Sequence, residues 1–339
     1  MEGLKILIIG DPHIKSDNTE QTNLMSVNIC DIINKEKPNI IVVLGDILHK
    51  HDKIDLYPYH RAEKFLRNLH TCKPFGSHLY ILIGNHDRPN NSIYLTDEHA
   101  FNSLKAWPET YVIDNVQEIN YNGFNVLCVP YVPTGKFENA TIDINFDNIH
   151  IVFAHQEFKG AKMNSITSNE GDIYQLHYPL CISGHIHDYD KLQENLIYTG
   201  TPIQHGFTDT TDKTISLLQY DENFKLLNHE RITLDIPKKL QFILTAKELI
   251  NFDPPLNAHI KIKLKGTIEE IKEVMKMDYV KNLLLKGIKI IPVETNDQLV
   301  VANTIFKEVK TKISFQERLN NAILLEKEEI QIIFKKMII

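Results

Sequence analysis

The chain has 339 residues, 42% of them hydrophobic and 24% charged, with a formal net charge of −7. This is an ordinary soluble globular composition with room for a large core and a second, smaller unit, and it excludes a chain that coats a polyanion over its whole surface. No apolar run approaches the ~20 residues of a membrane span, and Cys30, Cys72, Cys128 and Cys181 form neither a CxxC nor a dense framework, which argues against a zinc finger and suits a reducing compartment.

The N-terminus passes straight into an apolar run, LKILIIG from Leu4, with no basic region ahead of a long hydrophobic stretch. No secretion signal is expected from that pattern. Residues 19–36 place Met25, Ile29, Ile32 and Ile33 on one helical stripe, and residues 57–72 do the same with Phe65, Leu66 and Leu69. NIIVVLG from Asn39 lies between these helices and LYILIG from Leu79 follows them. Short strands are expected from 110 to 131, with Asn122-Gly123 as a hairpin turn. HIVFAH from His150 and LCISG from Leu180 complete a set of five short runs, rich in Ile and Val and mostly not alternating. Strands buried on both faces read this way. NLIYTGTP, TISLLQY and FKLLNHERITL follow, the last two separated by a turn at Asp221-Glu222-Asn223. The pattern predicts a layered α/β unit with a mixed sheet, ending near Asp235-Ile236-Pro237.

Beyond this point the pattern changes. HIKIKLKG from His259 alternates apolar and basic residues, TIEEIKEVMKMDYVKNLLLKG reads as a helix from an N-cap at Thr267 to a stop at Gly287, and IKIIPVET reads as a strand. A small α/β module over 236–297 is predicted, then a helical tail over 298–339. Residues 236–339 carry 18 Lys+Arg against 13 Asp+Glu, a balance of +5, which leaves −12 for the rest. An acidic front and a basic back fit a carboxylate-rich site followed by a part that tolerates phosphates, or a solvated lysine-rich surface.

The residues that end the five apolar runs carry the chemistry. They are Gly10-Asp11-Pro12-His13, Gly45-Asp46, Gly84-Asn85-His86-Asp87, His155, and Gly184-His185-Ile186-His187. In open α/β sheets, ligands bind beyond the C-terminal ends of the strands. Five such ends at one sheet edge point to a metal centre, with His185 and His187 as ligands presented toward one cleft. Imidazoles and carboxylates without thiolate suit Mn, Fe or Zn. The ligands are too many for one catalytic metal with open positions. Two metals sharing a bridging aspartate, ~3.5–4 Å apart, can instead serve an in-line displacement at phosphorus.

The series DPH…GDILH…GNHD…AHQ…GHIH resembles the calcineurin-like metallophosphoesterase superfamily. The resemblance covers most of residues 1–235. It implies a four-layer α/β sandwich of mixed sheets flanked by helices, with a small α/β capping domain and a C-terminal helical tail. It implies two divalent ions, manganese foremost, with magnesium, iron and zinc as alternatives. Asp11, His13 and His187 would hold one ion, Asn85, His155 and His185 the other, and Asp46 would bridge. His86 would face the scissile phosphate, with Asp87 either holding its ring or capping a helix. The stretch GDILHKHDKIDLYPYHRAEKFL, in which His49 follows the GD motif and is expected at the substrate, is similar to the SbcD-type DNA double-strand-break nucleases. AHQ and YTGTPIQHGFTD, with Thr201 in place of a serine, are similar to the same branch. His51 is an extra histidine, expected only to be exposed.

This branch implies a DNA nuclease subunit in repair or recombination, with a coiled-coil SbcC-type ATPase as partner and a homodimer as assembly. Its place would be the cytoplasm of a bacterial or phage-infected cell, or a nucleus or viral factory. Lys261, Lys263 and Lys265 share one strand face and are candidates for DNA contacts, or else lysines guarding a sheet edge. Lys159 and Lys162 lie in a loop that could touch substrate. Phe315, Leu319, Ile323, Leu324, Ile330, Ile333 and Phe334 make an apolar stripe in the tail, which fits a partner groove or packing on its own domain. The alternative function is a stand-alone phosphoesterase acting on a small phosphorylated metabolite, a cyclic nucleotide or a phosphoprotein.

Overall fold

The computed structural model of the chain describes residues 3–51, 53–163 and 166–295. In chain order the elements are β1 (Lys5–Ile9), α1 (Thr19–Glu36), β2 (Ile40–Val43), α2 (Leu56–Cys72), β3 (His78–Leu82), β4 (Thr110–Ile113), β5 (Gln117–Tyr121) and β6 (Phe124–Val129). Next come α3 (Phe137–Ala140), β7 (Ile151–His155), β8 (Lys162–Met163), β9 (Ile166–Thr167), β10 (Leu180–Gly184), β11 (Asp190–Gln193), β12 (Leu196–Tyr198), β13 (Ile215–Tyr220) and β14 (Leu226–Ile232). The last are β15 (Lys238–Thr245), α4 (Ala246–Ile250), β16 (Ala258–Gly266), α5 (Ile268–Val274), α6 (Asp278–Leu285) and β17 (Lys289–Glu294).

Local sequence explains the boundaries. α1 closes at Lys37, whose left-handed backbone (φ 52°) returns its N–H to the Ile33 carbonyl, and Pro38 then forbids another helical turn. The hairpin between β5 and β6 turns on Asn122 (φ 50°) and Gly123 (φ 93°), the two positive φ angles that a type I′ turn requires. α5 starts at Thr267, whose hydroxyl accepts from the Glu270 N–H while the Glu270 carboxylate accepts from the Thr267 N–H.

Two six-stranded mixed sheets form. The first runs β14-β13-β1-β2-β3-β4 and the second β11-β12-β10-β7-β6-β5. β1, β2, β3 and β4 are parallel neighbours, with β13 antiparallel to β1. In the second sheet β6, β7, β10 and β12 are parallel, with β5 and β11 antiparallel at the edges. Side-chain alternation then makes three cores. Leu7 and Ile9 pack with Met25, Ile29, Phe65 and Leu66 under α1 and α2. Ile6 and Ile8 meet Phe124, Phe153 and Ile182 between the sheets. Leu127, Val152 and Ala154 pack outward on Phe137, Phe158 and Tyr174. Three cores separate four layers, and each fully buried Leu, Ile, Val or Phe side chain contributes about 1.5–3 kcal/mol.

Three sequence expectations change here. The five motif-bearing strands do not share one sheet edge: β1, β2 and β3 lie in the first sheet, β7 and β10 in the second. Apolar patterning reports burial on both faces but not which strands pair. The helix expected from Thr267 to Gly287 is two helices, α5 and α6, interrupted at 275–277. β15, within KKLQFILT, has no strong periodicity and was not expected. It belongs to a three-stranded sheet ordered β15-β16-β17.

The chain divides into two compact units. Among the described residues, one comprises those up to 242 with Asp253–Ile262 and Leu284–Lys289, the other Ile243–Phe252, Lys263–Leu283 and 290–295. The tail over 298–339 lies outside the described residues. Among the described residues no helix is long and apolar enough to cross a membrane.

Candidate metal centre

Every candidate ligand sits on or just beyond the C-terminal end of a strand. Asp11 and His13 follow β1, Asp46 follows β2, Asn85 follows β3, His155 ends β7, and His185 and His187 follow β10. The backbone there is unusual: His13 (φ 42°), Asp46 (φ 48°) and His185 (φ 79°) all have left-handed conformations. Such conformations cost about 1–3 kcal/mol each and persist where surrounding structure imposes them. Glycines make the approach possible. A Cβ on Gly184 would stand 2.5 Å from Asp11 Oδ1 and 2.9 Å from His155 Nδ1, and one on Gly84 would stand 2.3 Å from Asp46 Oδ1.

The side chains converge in two groups. Asp11, His13 and His187 form one set of donors within 4.8 Å of one another, and Asp46, His155 and His185 form another. In the first, His13 Nε2 faces His187 Nε2 at 3.0 Å. In the second, Asn85 Oδ1 lies 3.1 Å from His155 Nε2 and 2.9 Å from His185 Nδ1. Asp46 stands between them, with Oδ2 3.5 Å from His13 Nε2 and Oδ1 3.4 Å from His155 Nε2. His155 donates from Nδ1 to the Leu44 carbonyl at 2.7 Å, which turns its Nε2 lone pair inward, as a ligating imidazole requires.

The donor set fits cations. Both oxygens of Asp11 are buried and accept no side-chain hydrogen bond, a costly state for an ionised carboxylate unless positive charge stands beside it. Burial, opposed by His155, pushes its carboxyl up to about 8. Burial would also raise Asp46, but His155 and His13 hold it well below the usual carboxylate range. Burial would lower His155, yet Asp46 and Asp11 raise it to about 9. Buried negative charge here draws whatever positive charge it can, and hard oxygens with imidazoles suit a divalent ion.

His86 lies at the open side, its side chain 26% exposed. Its Nδ1 donates to the His49 carbonyl at 2.7 Å, so Nε2 is left toward Asp46 Oδ2, 3.9 Å away. Asp87 does not hold this ring. It is buried, accepting from the Leu48 N–H at 2.9 Å and the Gly84 N–H at 3.0 Å. It therefore caps the turn that carries Asn85 and His86 and ties it to the loop after β2. His49, expected at the substrate, has Nδ1 3.4 Å from His13 Nδ1, with its ring parallel to that of His86 at 5.8 Å between centroids.

Two histidines were missed by sequence reasoning. His51 is not merely exposed: it stacks on His86 at 4.2 Å and its Nδ1 donates to the Asn85 carbonyl. His205, within the YTGTPIQHGFTD stretch, lies 4.9 Å from the His13 ring and 5.6 Å from the His187 ring, with Nε2 3.3 Å from the Asp11 carbonyl. Only its place in a stretch already singled out could have drawn notice to it. Lys261, Lys263 and Lys265 alternate on β16 with buried Ile260, Ile262 and Leu264, as the period-two pattern requires. Lys261 is not among the residues that line the cleft over the ligands. That cleft, about 520 Å³, is bordered by Asp46, His86, His185, His187, Lys162 and Lys213 among others. Lys159 is not part of it, whereas Lys162 is.

Residues 4–189 match the family model described as calcineurin-like phosphoesterase. The chain is 36% identical over 285 residues to "Putative phosphoesterase 244L" of Invertebrate iridescent virus 6, spanning 81% of this chain and 99% of that protein. It is 34% identical over 293 residues to "Putative phosphoesterase 078R" of Invertebrate iridescent virus 3, spanning 84% and 82%. A phosphatase structure from Mycoplasma pneumoniae overlaps 68% of this chain and 94% of its own, at a TM-score of 0.36 and 11% identity.

Proposed function

This chain belongs to the calcineurin-like phosphoesterase family, and on that premise we propose that it is a DNA nuclease subunit, hydrolysing phosphodiester bonds with two divalent ions. Phosphoester hydrolysis with divalent metals is the family's chemistry. The nuclease assignment is supported by one observation: His49, the histidine that sets the SbcD-like second motif apart, stands against His13 and parallel to His86. It thus adds an imidazole at the edge of the ligand cluster.

Asp11, His13 and His187 would hold one ion, and Asn85, His155 and His185 the other, with Asp46 shared between them. Manganese is the ion proposed first, as a hard divalent ion suited to carboxylate and amide oxygens at a site without thiolate. When bound, the ions supply positive charge against phosphoryl oxygens and lower the pKa of water. The chain's own groups do the rest. Neutral Asn85 in place of a third carboxylate keeps the cleft more positive for a phosphate. His86, with Nδ1 donating to the His49 carbonyl, presents Nε2 to the cleft; in its imidazolium form it can give that proton to a departing oxygen or stabilise charge there. His51 stacks on that ring and holds its plane. Lys162 adds positive charge to the cleft wall, where Lys213 is paired with Asp188.

Duplex contacts are assigned to Lys261, Lys263 and Lys265, because phosphate contacts outside the reacting centre provide most DNA affinity. The same reading carries a homodimer and a coiled-coil ATPase partner docked on the tail. The test is manganese-dependent degradation of a linear duplex by the purified chain, with His86→Ala beside it. Cleavage that disappears in the variant supports the nuclease. Intact DNA, with brisk hydrolysis of bis-p-nitrophenyl phosphate before and after adding an ATPase partner, moves the assignment to a phosphoesterase of small substrates.

A further inference from the structure

Cys30 and Cys72 stand 42 positions apart in sequence, yet their Sγ atoms are 3.0 Å apart. Cys30 lies on α1, and Cys72 is the last residue of α2. The two helices are laced along one seam. Arg61 Nη1 donates to Asn23 Oδ1 at 2.7 Å, Asn68 Nδ2 donates to Ser26 Oγ at 2.9 Å, and the Cys72 thiol donates to Cys30 Sγ. Positions advance together on both helices, so the sulfurs meet as the third rung of a parallel pair. Closing that rung to the ~2.05 Å of a disulfide asks for a shift of about 1 Å, and the other two rungs already hold the helices in place.

Cys30 and Cys72 are half-buried, whereas Cys128 and Cys181 are buried in the second sheet. The hydrogen bond from Cys72 holds the Cys30 thiol below its ordinary range, against the opposing effect of burial. Cys30 is therefore the better source of thiolate, the form that attacks. We propose that Cys30 and Cys72 are a reversible dithiol–disulfide pair that staples α1 to α2 when the chain meets a small-molecule disulfide. In the first step the Cys30 thiolate attacks one sulfur of the reagent, a mixed disulfide forms, and one small thiol leaves. In the second the Cys72 thiolate attacks the Cys30 sulfur and the second small thiol leaves. Two protein thiols are oxidised, one reagent disulfide is reduced to two thiols, and the two protons leave with them. The helices so joined follow the loops that carry Asp11 and His13 and the loops that carry Asp46 and His49.

The experiment uses the purified full chain incubated with oxidised glutathione. Remaining thiols are alkylated with iodoacetamide and peptides are mapped by mass spectrometry. The expected result is a mass lower by two hydrogens, about 2 Da, before alkylation, and a peptide joining positions 30 and 72 after it. The melting temperature should rise, because a cross-link restricts the unfolded chain, and dithiothreitol should reverse both changes. Cys30→Ser and Cys72→Ser, each checked for native circular dichroism, should give no internal cross-link and no rise. The proposal is overturned if the native chain stays a dithiol, takes glutathione on both cysteines without joining them, or cross-links only between chains.

Discussion

His13 Nε2 and His187 Nε2, 174 positions apart, face each other across 3.0 Å, with the buried carboxylate of Asp11, which accepts no side-chain hydrogen bond, in the same donor set. Two neutral imidazoles aimed at each other repel unless a proton or a cation lies between their lone pairs. A divalent ion should therefore stabilise the fold. Chelator-treated protein is expected to gain thermal stability on adding manganese, by about 2.7 kcal/mol at a hundredfold excess over Kd. Scanning calorimetry measures the gain. An undiminished gain in His187→Ala would remove this pair from the metal site.

His86 and Asp87 are adjacent but should fail differently. His86→Ala is expected to lower hydrolysis about 10²–10⁴-fold while leaving the manganese-induced stabilisation intact. Asp87→Ala abandons the Leu48 and Gly84 N–H groups and should cost about 1–3 kcal/mol for each, read by urea unfolding. A stable Asp87→Ala protein without turnover would restore Asp87 to the chemistry.

Gly184→Ala changes no ligand, yet its Cβ would meet Asp11 Oδ1 at 2.5 Å and His155 Nδ1 at 2.9 Å. Overpacking of this kind costs about 1–3 kcal/mol. The variant is expected to be destabilised and to show little manganese-induced gain in a thermal melt. Metal binding equal to wild type would mean that the two ligands can move apart without loss.

His205→Ala should weaken manganese binding by about 10–100-fold, the usual effect of removing a group that positions ligands. The His205 ring packs on His13 and His187 and contacts the Asp11 carbonyl. Titration calorimetry decides, and an unchanged Kd would reduce His205 to a wall of the site.

Outside the ligand set, Asp114 accepts from Lys105 and lies 3.1 Å from His99 Nε2. Burial would raise its carboxyl, but Lys105 and His99 hold it below 3.8. A carboxyl depressed in the folded state stabilises it fully above the unfolded value and loses that contribution as pH falls through the folded value. Asp114→Asn should therefore cost about 1–3 kcal/mol near neutral pH. The gap to wild type should hold as pH falls to about 4 and narrow below it, in urea unfolding series. A gap that widens instead as pH falls from 7 to 5 would assign the effect to His99, whose charged form Asp114 favours.

The legible parts of this protein are those that a local stretch of chain encodes. Runs such as NIIVVLG mark strands buried on both faces because neither register leaves a polar side. Asp11, His13, Asp46, Asn85, His155, His185 and His187 are legible because ligand chemistry admits few residue types and all of them end such runs. Asp87 was ambiguous: a carboxylate beside a histidine reads equally as a partner for the ring or as a cap, and only the positions of the Leu48 and Gly84 N–H groups decide.

By itself, then, the sequence determined the kind and order of the groups offered at the strand ends, and with them the family's metal chemistry. The tertiary structure alone decided that the strands divide between two sheets whose ends meet, so that the two oxygens of Asp46 face different clusters. It also decided that His51 and His205 reach the site and that Cys30 meets Cys72. The physical reason is that convergence depends on strand order and on left-handed turns at His13, Asp46 and His185. Those turns are imposed by packing between distant segments, and no periodicity along the chain records them.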